Sequence, residues 1–204
     1  MAAKINNIIT AQSFEIIRDQ IALILGLEIR NQVLLSGNYE IDATVYIERQ
    51  VPPNASEMDA GPLVNVLLGT GDYSNQDVSQ STGTYLFFID VYTGAKSSST
   101  KNGDTRSMLR MQKMLGVCRG ILEATQYLTL GFVPPFVMGR KINSLQIAQP
   151  DAASADNIVR GRLVLEVKVP EYQQMVTANL IDGQDTTVFI DTSDEGYFWV
   201  NDSY

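Results

Sequence analysis

The chain has 204 residues, 45% of them hydrophobic, a formal net charge of -8 and no histidine. Its length and composition suit one substantial globular core, and its acidity argues against broad adhesion to nucleic acid or to an anionic membrane. Without histidine, serine triads and Cys/His dyads are excluded and the commonest transition-metal ligand is gone; the single cysteine, Cys118, rules out intrachain disulfides and four-cysteine zinc sites.

In chain order, residues 13–27 place Phe14, Ile17, Ile21 and Leu25 on a wide apolar face, with Glu15, Arg18 and Asp19 elsewhere. The spacing predicts a helix that starts at Thr10 or Ser13, with Ser13 a candidate cap, and ends near Gly26, with 27–34 able to extend it. Its apolar run, 21–27, is too short for a membrane span and its flanking charges do not suit a signal peptide, so a reducing, cytoplasm-like compartment is expected. Residues 43–51 alternate Val45, Ile47 and Arg49 with Thr44, Tyr46 and Glu48 and stop at Pro52-Pro53, a strand and then a break. An acidic loop, 52–62, leads to a short buried strand, 63–68, which Gly69-Thr70-Gly71-Asp72 turns; residues 73–82 are polar and read as a loop. The run 84–93 is apolar on both sides until Asp90, as expected of a central strand covered on both faces. These three runs are expected to form an antiparallel meander between two helices.

After a polar loop, Asp104 or Thr105 caps a helix, 105–128, on which Met108, Met111, Leu115, Cys118 and Leu122 recur at spacings of three and four. Cys118 lies on that stripe as a small buried hydrophobe. Arg106, Arg110 and Lys113 form a basic row on another flank, near the helix end where the macrodipole disfavours cations. Such a row is either a solvated face or a contact for an outside partner. Gly116 and Gly120 form a small-xxx-small pair that suggests a close helix-to-sheet contact, with helix pairing as the alternative. Gly131, Pro134 and Pro135 then break the chain. Residues 136–147 read as a fourth strand with Ile142 and Ser144 on one face, 152–157 as a polar loop, and 160–169 as the clearest half-buried strand, ended by Pro170.

The tail, 171–204, has short apolar clusters and acidic turns at Asp182, Asp185, Asp191, Asp194 and Glu195, whose spacing does not match a calcium loop. It reads as an appendage, either a hairpin packed on the body or an arm that orders on a neighbour. The fold class expected is α+β: a mainly antiparallel β-sheet packed against an N-terminal helix and a central amphipathic helix over residues 1–170, with a C-terminal β-like extension over 171–204. No phosphate-cradling glycine motif is present. No catalytic, cofactor or metal site is expected.

The order of elements, helix, strands with long loops, central amphipathic helix, two more strands, resembles that of the tail terminator and related tail-completion or head-to-tail joining proteins of tailed bacteriophages. The segments that carry the likeness are FEIIRDQIALIL (14–25), TYLFFIDVYT (84–93), TRSMLRMQKMLGVCRGILEATQYL (105–128) and RGRLVLEVKVPE (160–171). The resemblance implies a non-enzymatic structural protein of the virion tail or neck, assembled in the host cytoplasm. It implies a ring of copies of itself, typically six, that caps the tail tube protein and offers a docking face to the head connector or neck protein. A sheath protein would be a further neighbour in a contractile tail, and genomic DNA would pass the lumen without sequence-specific binding; no membrane is involved. The basic row Arg106, Arg110 and Lys113 is then a candidate subunit or partner interface. Asp59 in the loop 52–62, Tyr73 in the loop 73–82, and Tyr197, Phe198 and Trp199 in the tail are further candidates. A neck or connector-completion protein is the nearest rival reading, and a small acidic enzyme or ligand-binding domain is the rival from another class.

Overall fold

The computed structural model describes residues 8, 11–59, 61–77, 80–95, 102–134, 136–148, 158–172, 188–189 and 198–199. They fall into two units, Ala11–Gln173, and Met1–Thr10 together with Gln174–Tyr204. The larger unit is α+β. It contains α1 (Ser13–Ser36), β1 (Thr44–Ile47), α2 (Ala55–Asp59), β2 (Leu63–Asp77), β3 (Gln80–Thr93), α3 (Gly103–Glu123), β4 (Gly139–Ala148) and β5 (Val159–Tyr172). Its five strands form one sheet in the order β1-β2-β3-β5-β4. In the second unit β6 (Val188–Phe189) pairs antiparallel with β7 (Phe198–Trp199).

The first helix begins at Ser13, the later of its two expected starts, and runs through the possible extension 27–34 to end two residues beyond it at Ser36. Gln12, not Ser13, is the N-cap, and the Glu15 carboxylate accepts its backbone N–H at 2.8 Å. Gly26 lies inside the helix; the stop is Gly37, whose φ of 64° is the left-handed C-terminal geometry and whose N–H reaches the Val33 carbonyl at 2.9 Å. Ile17, Ile21, Leu25, Ile29 and Val33 form the buried stripe.

The expected meander is corrected at its first pair: β1 runs parallel to β2. Parallel neighbours need a crossover of a dozen or so residues, and residues 48–62, which include α2, supply it. Glu48, at φ 52°, takes the chain out of the strand direction. The expected turn at 69–72 and loop at 73–82 are also corrected, because both belong to a long antiparallel hairpin in which Leu63 pairs with Tyr92 and Asp77 with Gln80. The register shifts between Leu68 and Thr70, so Gly69 sits at a bulge. A Cβ there would lie 2.5 Å from the Phe88 ring, and one at Gly71 would lie 2.8 Å from the Tyr85 ring. These glycines make room for cross-strand aromatics rather than for a turn.

Central strand β3 pairs along its whole length with β5 on one side and with β2 on the other. Its odd-numbered side chains, Tyr85 through Val91, are buried, together with Leu163, Leu165 and Val167 of β5, against Ile21 and Leu25 of α1 and Met111, Leu115 and Cys118 of α3. On the opposite face Leu86 and Phe88 are only half-buried, so the covering of β3 is unequal. At the end of β5, Pro170 does not stop the strand, which continues to Tyr172 and keeps Pro170 opposite Thr82. The Lys168 carbonyl faces β4, where it accepts from Met138 N–H. Pro170, two residues on, directs its missing N–H to that same side, past the start of β4 at Gly139. The fourth strand has a bulge between Ile142 and Ser144. Ile142 stands opposite Leu165 on the helix-covered face and Ser144 opposite Val164 on the other, so these two residues do not share a face as the sequence suggested.

Candidate interaction surfaces

The basic row lies on the first turns of α3, whose N-cap is Asn102 rather than Asp104 or Thr105. Burial of Met111, Met114, Leu115, Cys118 and Leu122 fixes the rotation of the helix. That rotation brings Arg106, Arg110 and Lys113 to one open depression of about 400 Å³, which Glu40, Ala95 and Leu109 also line. Arg110 is anchored there: its Nε donates to the Glu40 carbonyl at 2.8 Å and its Nη1 to the Gly94 carbonyl at 3.4 Å. Burial pulls the Arg110 pKa down from its ordinary value, the nearby Glu40 carboxylate opposes this, and Arg106 adds to it through like-charge repulsion. Lys113 is exposed. The three positive groups of the row therefore line one solvent-open hollow, and Arg110 is fixed there by the backbone carbonyls it grips.

At the other end of β3, Tyr73, a candidate from the sequence, joins a polar cluster with Tyr85 and Glu171, neither of which the sequence singled out. The Tyr85 hydroxyl donates to the Glu171 carboxylate at 2.6 Å, and the Ser13 hydroxyl donates to the other oxygen of that carboxylate at 3.2 Å. Tyr73, 58% exposed, packs edge-on to Tyr85 with ring centroids 5.9 Å apart and hydroxyls 3.2 Å apart. Burial, and then the bond to Glu171, push the Tyr85 phenol well above its usual pKa. The cluster ties the start of α1 to the ends of β3 and β5, and leaves Tyr73 as its outermost group.

On the sheet face away from α1 and α3, Arg162 of β5 and Asp90 of β3 form a paired charge, with the guanidinium 4.2 Å over the Phe88 ring. Nearby, Asn65 accepts the Arg49 N–H at 3.1 Å and donates to the Arg49 carbonyl at 2.7 Å. Arg49 reaches both oxygens of Glu57 at 2.8 Å. These bonds hold the crossover segment on β2. The signal available in the sequence was Asp90 itself, a carboxylate inside an otherwise apolar strand.

Asp59 is the last residue of α2, and Phe198 and Trp199 form β7 opposite Phe189 and Val188. Tyr197 and the acidic groups Asp182, Asp185, Asp191, Asp194 and Glu195 lie outside the described residues, as does the loop 152–157. Gly116 and Gly120 do not meet the sheet: both are exposed, and a Cβ at either would have open space within 4 Å. Gly120 instead floors an open groove between α1 and α3, with Glu28, Asn31 and Gln32 on one wall and Val117 and Tyr127 on the other. Cys118 is fully buried and its thiol is pushed up to about 12 by desolvation.

Among the described residues no group of three or more His, Cys, Asp or Glu side chains is arranged to hold a metal ion, and no helix is long and apolar enough to cross a membrane. No protein-family model matches the chain, and no curated protein sequence matches it.

Proposed function

We propose that this chain is a non-enzymatic structural subunit of a tailed-phage virion, a tail terminator that closes into a ring on the last tube ring and offers its other side to the head connector. The observation that carries this reading is the order of the elements on one sheet. A long helix, three strands, a second long helix and two strands follow one another, and both long helices pack on the same face. Two further features support it. Among the described residues the sheet ends in strands β1 and β4, each with one strand beside it, which suits contacts between copies along its rim. The basic hollow of Arg106, Arg110 and Lys113 lies on a chain of net charge -8, which favours an acidic protein surface as its partner. A head-to-tail contact of this kind closes into a ring when its rotation permits, and the overall acidity lets DNA pass a lumen without being held.

Electron microscopy of the purified chain, alone and mixed with tail tubes, tests the proposal. Closed rings, or density capping tube ends, are expected. A chain that never associates with itself or with tubes, or that turns over a substrate, overturns it.

A further inference from the structure

The outward face of α1 is apolar, with the spacing of a helix-pairing seam. Ile16, Leu23, Leu27 and Leu34 are 37%, 54%, 64% and 67% exposed. They lie on the side of the helix opposite the buried Ile21, Leu25 and Ile29. With Gln20 and Arg30 between them, the positions 16, 20, 23, 27, 30 and 34 step alternately by four and three, the repeat of a coiled-coil seam. The series runs for about 27 Å at the α-helical rise. A strip of large aliphatic side chains this long on one exposed helix marks a surface made to be covered.

The series also reads the same from either end. Turned end over end against a copy of itself, it sets Ile16 against Leu34, Leu23 against Leu27 and Gln20 against Arg30. Each aliphatic side chain then meets an aliphatic one, and the Gln20 carbonyl meets a guanidinium. Asp19, one residue before Gln20, brings a carboxylate to the level of Arg30 of the second copy. A parallel pairing would instead stack Arg30 on Arg30, a like-charge contact that costs stability. Arg30 is 59% exposed at its side chain and pairs with Asp42 of its own chain at 2.9 Å, a surface bond that leaves its other donors to solvent.

We propose that this face of α1 is a two-fold interface on which a second copy of the chain lays its own α1 antiparallel. The contact is isologous, whereas a closed ring is built from head-to-tail contacts. It therefore goes beyond the terminator reading, and joins either two free chains or two rings face to face.

Sedimentation equilibrium of the full chain and of Leu27→Glu tests it, with Leu23→Glu as a second variant. The three seam leucines and the isoleucine are all exposed, so the circular dichroism and urea midpoint of these variants should match the wild type. The wild-type chain should form a reversible dimer, or an even-numbered assembly of rings. Leu27→Glu should raise the dissociation constant of that contact by at least about a hundredfold, because two-fold symmetry removes the side chain twice. Cysteine pairing reads the direction: Gln20→Cys chains mixed with Arg30→Cys chains should form a disulfide that neither forms alone. The buried, high-pKa thiol of Cys118 will not compete. A chain that is monomeric at every concentration, an assembly untouched by Leu27→Glu, or Gln20→Cys chains linking to each other overturns the proposal. A single ring of unchanged mass in the Leu27→Glu variant does so too, while leaving the terminator reading in place.

Discussion

Asp90 and Arg162 stand directly opposite each other on β3 and β5, and the guanidinium clasps the carboxylate through two bonds of 2.6 and 2.8 Å. The two partners are unequally buried: the side chain of Asp90 is 1% exposed and that of Arg162 is 23% exposed. Removing either leaves the other alone, and the cost depends on which one stays behind. Arg162→Met strands a carboxylate with almost no access to water and should cost about 3 kcal/mol. Asp90→Ala leaves an arginine that still reaches solvent and stacks on Phe88, and should cost closer to 1 kcal/mol. Urea unfolding at neutral pH measures both. Equal losses, or a larger loss for Asp90→Ala, would show that the pair is more open than its geometry indicates.

The glycines divide by what surrounds them. Gly69→Ala drives a methyl group into the Phe88 ring, 2.5 Å away, and the ring cannot swing freely while Arg162 lies over it. A loss of about 1 kcal/mol is expected, and it should shrink in a Phe88→Ala background, as the double-mutant cycle for two touching groups requires. Gly116→Ala and Gly120→Ala meet open space in the interior of α3. Each should gain up to about 1 kcal/mol from helix propensity. A destabilising Gly116→Ala would mean that α3 packs more closely there than described.

Arg110 and Lys113 line the same hollow and should respond differently. Arg110 spends its donors on the Glu40 and Gly94 carbonyls, so Arg110→Glu should lower stability by about 1–2 kcal/mol through lost charge-assisted bonds, whatever it does to assembly. Among the described residues Lys113 has no hydrogen-bond or ion-pair partner, so Lys113→Glu should leave the urea midpoint unchanged while weakening ring formation. Assembly followed by native mass measurement separates the two effects. Full assembly of Lys113→Glu would reduce the row to a solvated face.

Much of this architecture was written in periodicity. The buried stripes of α1 and α3 and the alternation of β5 follow from spacing alone, because a 3.6 or 2.0 repeat has one way to face a core. What spacing does not carry is the partner. The direction of β1 depends on a crossover whose length permits either sense, and the hairpin of β2 and β3 was hidden because its outer half is polar and contains glycines chosen for aromatic neighbours across the strand. The bulge that parts Ile142 from Ser144 is equally silent in a single strand. The basic row was visible by spacing, but its anchoring was not, since Glu40 and Gly94 reach Arg110 only through the fold. The outer stripe of α1 is faint in the sequence for a simpler reason: a helix apolar on two sides gives a weak amphipathic signal, and the larger buried face absorbs it.

Acid should destabilise the fold, and Tyr127 should set part of the loss. The Glu28 carboxylate accepts from the Tyr127 hydroxyl and from the amides of Asn31 and Gln126, each at 3.1 Å. The Tyr127 bond, followed by that of Asn31, holds Glu28 below the ordinary value of 4.5, against a smaller opposing effect of burial. Glu166 is lowered likewise, first by the Asn143 amide and then by Lys141. A carboxyl with a depressed folded pKa takes up its proton more readily when unfolded. Its contribution is therefore complete above the unfolded value near 4.5 and is lost as pH falls through the lower folded pKa. Tyr127 itself is raised by Glu28, so its share is present below about 10 and is lost as pH rises through its folded value. Urea midpoints should be level from about pH 8 down to about pH 5.5 and should fall beneath that. Tyr127→Phe should start lower and fall less steeply, because the largest cause of the Glu28 shift is gone; Asn143→Ala should act in the same way through Glu166. If the wild-type midpoint rises on acidification, or if Tyr127→Phe falls as steeply as the wild type, Glu28 does not carry this linkage.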